Sequence, residues 1–143
     1  MHRRIAILLL LAVFSVNVYR AWTQSVTIDE AFAYNLFLKG SWSNLIGPYD
    51  ASNHVLYSIL AKICVTLFGL SEFTLRTPSL LGGLLYLLAV FRLSRRLLGE
   101  GWLLLLSVAL LSLNPHLMDF MSAARGYGLA LALFLWALDQ TLG

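Results

Sequence analysis

Charge is scarce in this chain. Only 12% of its 143 residues are Asp, Glu, Lys or Arg, whereas an ordinary soluble domain carries about 25%. Hydrophobic residues make up 59%, and the mean hydropathy is +0.79. So thin a polar inventory excludes a water-solvated globule and makes lipid the solvent. Cysteine is nearly absent too: the lone Cys64, inside an apolar stretch, forms no internal disulfide and reads as a small packed hydrophobe. The chain lacks internal repeats and low-complexity tracts, which excludes a repeat array. Its net charge is +3, but the basic residues sit in short clusters between apolar runs rather than along one polar face. That pattern orients a protein in a membrane and argues against a nucleic-acid partner.

What the chain does have is long apolar runs. After Met-His-Arg-Arg, the stretch from Ile5 to Tyr19 is free of charge and continues through Arg20 to Trp22. At about 1.5 Å per residue it nearly crosses a hydrocarbon core of roughly 30 Å, with Trp22 as an interfacial anchor. A secretory signal peptide shares the basic start and apolar middle. The following "VNVYRAWTQS" offers no clear small-residue cleavage site, so an uncleaved first span is the better reading. Further apolar runs cover residues 73–93, 102–117 and 121–138. Residues 54–68 are apolar but shorter than the roughly 20 residues a span needs, and they include Lys62.

The basic clusters choose the topology. If residues 54–68 crossed, Arg92, Arg95 and Arg96 would face the exterior; if they lie in the interface or re-enter, those arginines join Arg3 and Arg4 on the cytoplasmic side. The second arrangement predicts an all-α membrane protein of about four transmembrane helices, near residues 5–22, 73–93, 102–117 and 121–138. Both termini are then cytoplasmic, and residues 23–72 form an exterior segment with surface helices over about 28–39 and 54–68. Thr27 and Glu30 make a T-x-x-E capping box, no proline or glycine interrupts the stretch before Gly40, and Gly40 marks the stop. Ile28, Phe32 and Leu36 recur at i, i+4 and i+8, an apolar face suited to lying along the membrane surface. "GPYDASN", residues 47–53, reads as turn and loop.

In so uncharged a segment, the adjacent carboxylates Asp29 and Glu30 need a reason. Capping accounts for Glu30, and the helix dipole favours Asp29 by a few tenths of a kcal/mol. Alternatively, a carboxylate at the exterior mouth of a helix bundle acts as general base on a hydroxyl or amine, or binds a divalent metal. Other polar residues fall on the same side: His54 after the loop, Arg76 at the start of the second span, and His116, Asp119 and Arg125 around the hairpin between the third and fourth. Arg76 and Arg125 are either snorkelling interfacial arginines or an anion site, since a guanidinium binds phosphate bidentately. His54 and His116 lack the spacing of metal ligands. Gly82-Gly83 and Gly126-x-Gly128 suit close helix packing better than cradling a phosphate.

Taken in order, "TIDEA", "NHVLY", "GLSEFTLRTPSLLGGLLYLLAVFRLSRRLLG" and "NPHLMDFMSAARGYGLALALFLWAL" resemble the N-terminal part of the C-type membrane glycosyltransferases. The likeness is to the bacterial branch related to protein O-mannosyltransferases and the lipid A aminoarabinose transferase, and it covers nearly the whole chain. It implies an inverting enzyme of the bacterial inner membrane that moves a sugar from a polyprenyl-phosphate carrier to a lipid, glycan or protein acceptor on the exterior face. By the resemblance, Asp29 is the base or acceptor-binding carboxylate with Glu30 its neighbour. Arg76, Arg125, His54 and Asp119 fall among the substrate- and phosphate-binding positions, and the leaving phosphate calls for positive charge or a divalent metal. Many such proteins begin the second surface segment with Lys-Pro or His-Pro-Pro, where this chain has Asn53-His54-Val55, a departure that bears on donor and metal contacts. Members are also several times longer, so the resemblance implies an N-terminal portion that is inactive by itself. The rival expectation is a polytopic transport or assembly protein whose carboxylates only cap a helix.

Overall fold

A computed structural model of the chain describes residues 1–46, 50 and 53–142, so most of the loop expected over 47–53 lies outside the described residues. Among the described residues all regular structure is helical: α1 His2–Thr23, α2 Ile28–Ala33, α3 Val55–Phe68, α4 Glu72–Leu98, α5 Trp102–Ser112, α6 Pro115–Ser122 and α7 Tyr127–Thr141. A π-helical turn over Tyr34–Leu38 extends α2, and a 3-10 turn covers Trp42–Leu45.

Each boundary has a local cause. The capping box expected at Thr27 is present in both directions, Thr27 Oγ1 accepting from the Glu30 N–H and Glu30 accepting from the Thr27 N–H. Ser71 caps α4 by accepting from the Thr74 N–H at 3.0 Å. Asn114 caps α6 by accepting from the His116 N–H at 3.0 Å, with Pro115 in the first helical turn. That second cap breaks the third apolar run, and α5 and α6 meet at a bend of 61°.

α4 is the hub, packing against α1, α3, α5, α6 and α7. One core joins Ala6, Leu10 and Val13 of α1, Tyr86, Leu87 and Val90 of α4, Leu104 and Val108 of α5, Met121 and Ala132. A second gathers Phe37, Leu38, Leu45, Tyr57, Ala61, Leu75 and Ala124 beneath the surface segment. The close packing expected at Gly82 is observed, since a Cβ there would lie 2.8 Å from the Leu129 backbone nitrogen on α7. Much of the remaining apolar surface faces outward, including Leu8, Leu11, Val16 and Trp22 on α1, Leu81 and Leu88 on α4, and Phe134 on α7. Such faces suit lipid better than water.

By length and composition, His2–Thr23 and Glu72–Leu98 are able to cross a membrane, and α5 with α6 adds a third span if the bent pair is counted as one. The fourth apolar run is divided: α6 takes residues 121–122, Ala123–Gly126 form a bend, and α7 keeps 15 residues, a rise of about 22 Å. α3 has 14 residues. Its Lys62 is turned inward and donates from Nζ to the Gly40 carbonyl at 2.5 Å, 5.2 Å from the centre of the Trp42 ring. Ile28, Phe32 and Leu36 all face outward, whereas Glu30, Phe37 and Leu38 form the buried side of their segment.

Ion pairs mark two opposite ends of the bundle. Arg3 and Arg95 share Glu100, while Arg92 and Arg96 hold the buried Asp139. At the far end, where α1 finishes and α4 begins, are Arg20, Asp29, Glu30, Arg76, Asp119 and Arg125.

Candidate functional site

The far end is built in two layers. The inner layer is Glu30 and Arg76, each 2% exposed. Arg76 donates from Nε to Glu30 Oε1 at 2.9 Å and from Nη2 to Oε2 at 2.8 Å, a bidentate pair. Its other hydrogens reach carbonyls, Nη1 to Ala21 at 3.1 Å and Gln24 at 2.5 Å, and Nη2 to Ser25 at 3.0 Å. All five guanidinium donors are therefore used. Glu30 also accepts from the backbone N–H groups of Thr27 at 2.8 Å and Ala124 at 2.6 Å. Burial opposes ionisation of Glu30, but Arg76 and those two N–H groups outweigh it and hold the carboxyl below the usual carboxylate range. One cluster thus ties the end of α1, the link to α2, α2 itself, α4 and the bend after α6.

The outer layer is open. Asp29, one residue before Glu30, points the other way: its side chain is 67% exposed and pairs with Arg125. Asp119 of α6 pairs with Arg20 of α1. These pairs border an open cavity of about 560 Å³ whose lining includes Arg20, Asp29, His116, Asp119 and Arg125. A second cavity, about 330 Å³, opens on the other side of the Asp29–Arg125 pair and adds His54, Tyr57, Ser58 and Tyr127. The His54 ring lies edge-on to Tyr127 with centroids 4.4 Å apart, and burial pushes its imidazole below the ordinary histidine value.

The "ARGYG" stretch makes this arrangement possible. Ser79 of α4 donates to the Arg125 carbonyl at 2.9 Å and accepts from the Arg125 N–H at 3.3 Å, which fixes the bend against α4. A Cβ on Gly126 would lie 2.5 Å from His54 Cβ, so only glycine allows the bend to press against the start of α3. This is packing, not a phosphate cradle.

All six residues that the resemblance places in the site meet at this end, and His116 joins them. Asp29, Arg125, Asp119 and His54 border the two cavities, while Glu30 and Arg76 lie beneath them. Sequence reasoning passed over Arg20, whose signal was its place as the one charge interrupting the first apolar run, and Tyr127, which lies inside a quoted motif. Among the described residues no three His, Cys, Asp or Glu side chains group closely enough to hold a metal ion, Glu30 is fully engaged, and Asp29 and Asp119 each face an arginine. Two carboxylates interleaved with two guanidiniums suit an anionic ligand together with a group that gives up a proton. No protein-family model, curated protein or solved structure matches the chain.

Proposed function

We propose that this chain forms the base-carrying part of an inverting glycosyltransferase that takes a sugar from a polyprenyl-phosphate carrier and passes it to a lipid, glycan or protein acceptor. The observation that supports this most is the open cavity where Asp29, Arg125, Arg20 and Asp119 face one another beside apolar, outward-facing helices. In this reading, Asp29 accepts the acceptor proton as the acceptor oxygen bonds the anomeric carbon. The bond from that carbon to the phosphate oxygen breaks, and the lipid phosphate leaves with the electron pair beside Arg125 and Arg20. An arriving donor phosphate competes with Asp29 for Arg125, so donor binding frees the carboxylate for its task. Glu30 and Arg76 act as positioning residues that hold α2 and aim Asp29 outward. The proposed setting is the bacterial inner membrane, with about four spans, both termini cytoplasmic and the cavity exterior.

A second reading is favoured by the pairing itself. Asp29 and Asp119 are already neutralised by arginines, as latches in a non-catalytic transport or assembly protein would be. The readings separate when the chain is carried within the whole transferase, in membranes supplied with polyprenyl-phosphate-linked sugars, comparing that protein with its Asp29→Asn form at equal abundance. Transfer lost with an unchanged unfolding temperature supports the base; transfer unchanged by Asp29→Asn, or absent from the unmutated protein with every donor, favours the latch.

A further inference from the structure

The opposite end of the bundle carries a site that the glycosyltransferase reading does not use. Between α1 and α4 runs an apolar groove of about 270 Å³, lined by Ile7, Leu11, Phe14, Leu84, Leu88 and Phe91 among others. Its lining is almost wholly hydrocarbon, and Leu11 and Leu88 are about half exposed, 57% and 47%. Helix register places charge at one end of this groove. Arg4 lies three residues before Ile7 and seven before Leu11, and Arg95 lies four after Phe91 and seven after Leu88, so both continue the stripes that line it. The contacts agree: Arg3 and Arg95 reach the same Glu100 oxygen, which brings the first turn of α1 to the last turns of α4. Arg4 is exposed and has no side-chain partner among the described residues. Arg3 and Arg95 thus share one carboxylate near this end, and the exposed Arg4 adds a third positive charge by its helix register.

From this juxtaposition we propose that the α1–α4 groove is a binding site for an anionic glycerophospholipid, one acyl chain lying along Ile7–Phe14 and Leu84–Phe91 with the headgroup phosphate between Arg4 and Arg95. Charge complementarity selects this occupant. A neighbouring helix or second copy would fill the groove equally well but leaves Arg4 unmatched, whereas a phosphate neutralises the excess positive charge. The groove covers about 10 Å of helix length, enough to hold the upper part of one chain beneath its headgroup.

The test is lipid retention by the whole chain, measured by native mass spectrometry from detergent micelles doped with equal amounts of phosphatidylglycerol or phosphatidylcholine. One phosphatidylglycerol per chain is expected to be retained, with phosphatidylcholine weaker by about five-fold for each arginine engaged, hence roughly 25-fold. Arg4→Gln with Arg95→Gln brings phosphatidylglycerol down to the phosphatidylcholine level. Leu11→Trp, which keeps both arginines but fills the groove, removes either lipid; helix content by circular dichroism checks that each variant folds. Equal retention of the two lipids, or retention unchanged in both variants, overturns the proposal. So does loss of a dimer in Leu11→Trp with lipid retention intact, which assigns the groove to a second copy.

Discussion

Asp29 and Glu30 are neighbours with opposite fates. Glu30 is buried and saturated by hydrogen bonds, whereas Asp29 is open to the cavity. Removing one partner of a buried, bidentate pair leaves an uncompensated charge, so Glu30→Ala is expected to cost about 3–5 kcal/mol, read from thermal unfolding in detergent. Asp29→Asn, which breaks only an exposed pair, changes unfolding by less than about 1 kcal/mol. The same contrast gives a pH dependence. The Glu30 carboxyl is lowered in the folded protein, so its stabilisation is complete above the unfolded value near 4.5 and is lost as pH falls through the folded value. Burial depresses His54, so its part is complete above 6.5 and declines as pH drops below that, because the unfolded chain takes up the proton first. Denaturation midpoints measured from pH 8 to pH 2 in the wild type and a His54→Gln form distinguish the two contributions. The capping pattern made Thr27 and Glu30 legible in the sequence, but not the Arg76 partnership, which joins residues 46 apart and needs the tertiary fold.

At the scale of elements, caps and glycines were legible and span lengths were not. The helix start at Thr27 and the close packing at Gly82 follow from local chemistry, whereas the inward turn of Lys62 onto the Gly40 carbonyl needs the tertiary fold. The third and fourth apolar runs read as continuous because hydropathy does not register a cap inside an apolar window. Asn114-Pro115 interrupts one run, and the bend at Ala123–Gly126 shortens the other. The π-helical turn over Tyr34–Leu38 had no signal in the periodicity either, since one widened turn barely disturbs an i, i+4 pattern. Two substitutions probe these elements. Asn114→Ala removes the α6 cap at a cost of about 1 kcal/mol. Gly126→Ala forces the bend off His54 and is expected to destabilise by roughly 1–3 kcal/mol while displacing Arg125.

At the scale of the whole molecule, the ion pairs of Arg3, Arg92, Arg95 and Arg96 gather at one end of the helix bundle and the mixed-charge cluster at the other. Charge clusters carry an expectation of orientation because it depends on their order along the chain, not on side-chain geometry. In a Cys64→Ser background, a cysteine at Gly101, exposed and with open space around its Cβ, is expected to resist an impermeant thiol reagent in intact cells, and one at exposed Lys39 to react. The pairing of Arg20 with Asp119 was not legible, because 99 residues of chain separate them. The central claim is that the mixed-charge end receives a lipid-linked phosphate. Its most direct measurement is the affinity of the chain for a polyprenyl phosphate in detergent, for the wild type and for Arg20→Gln with Arg125→Gln. At least a tenfold loss is expected in the double variant, since charged hydrogen bonds contribute about 1.5–3 kcal/mol each, with the unfolding temperature nearly unchanged. An affinity that stays the same when both arginines are removed would contradict it.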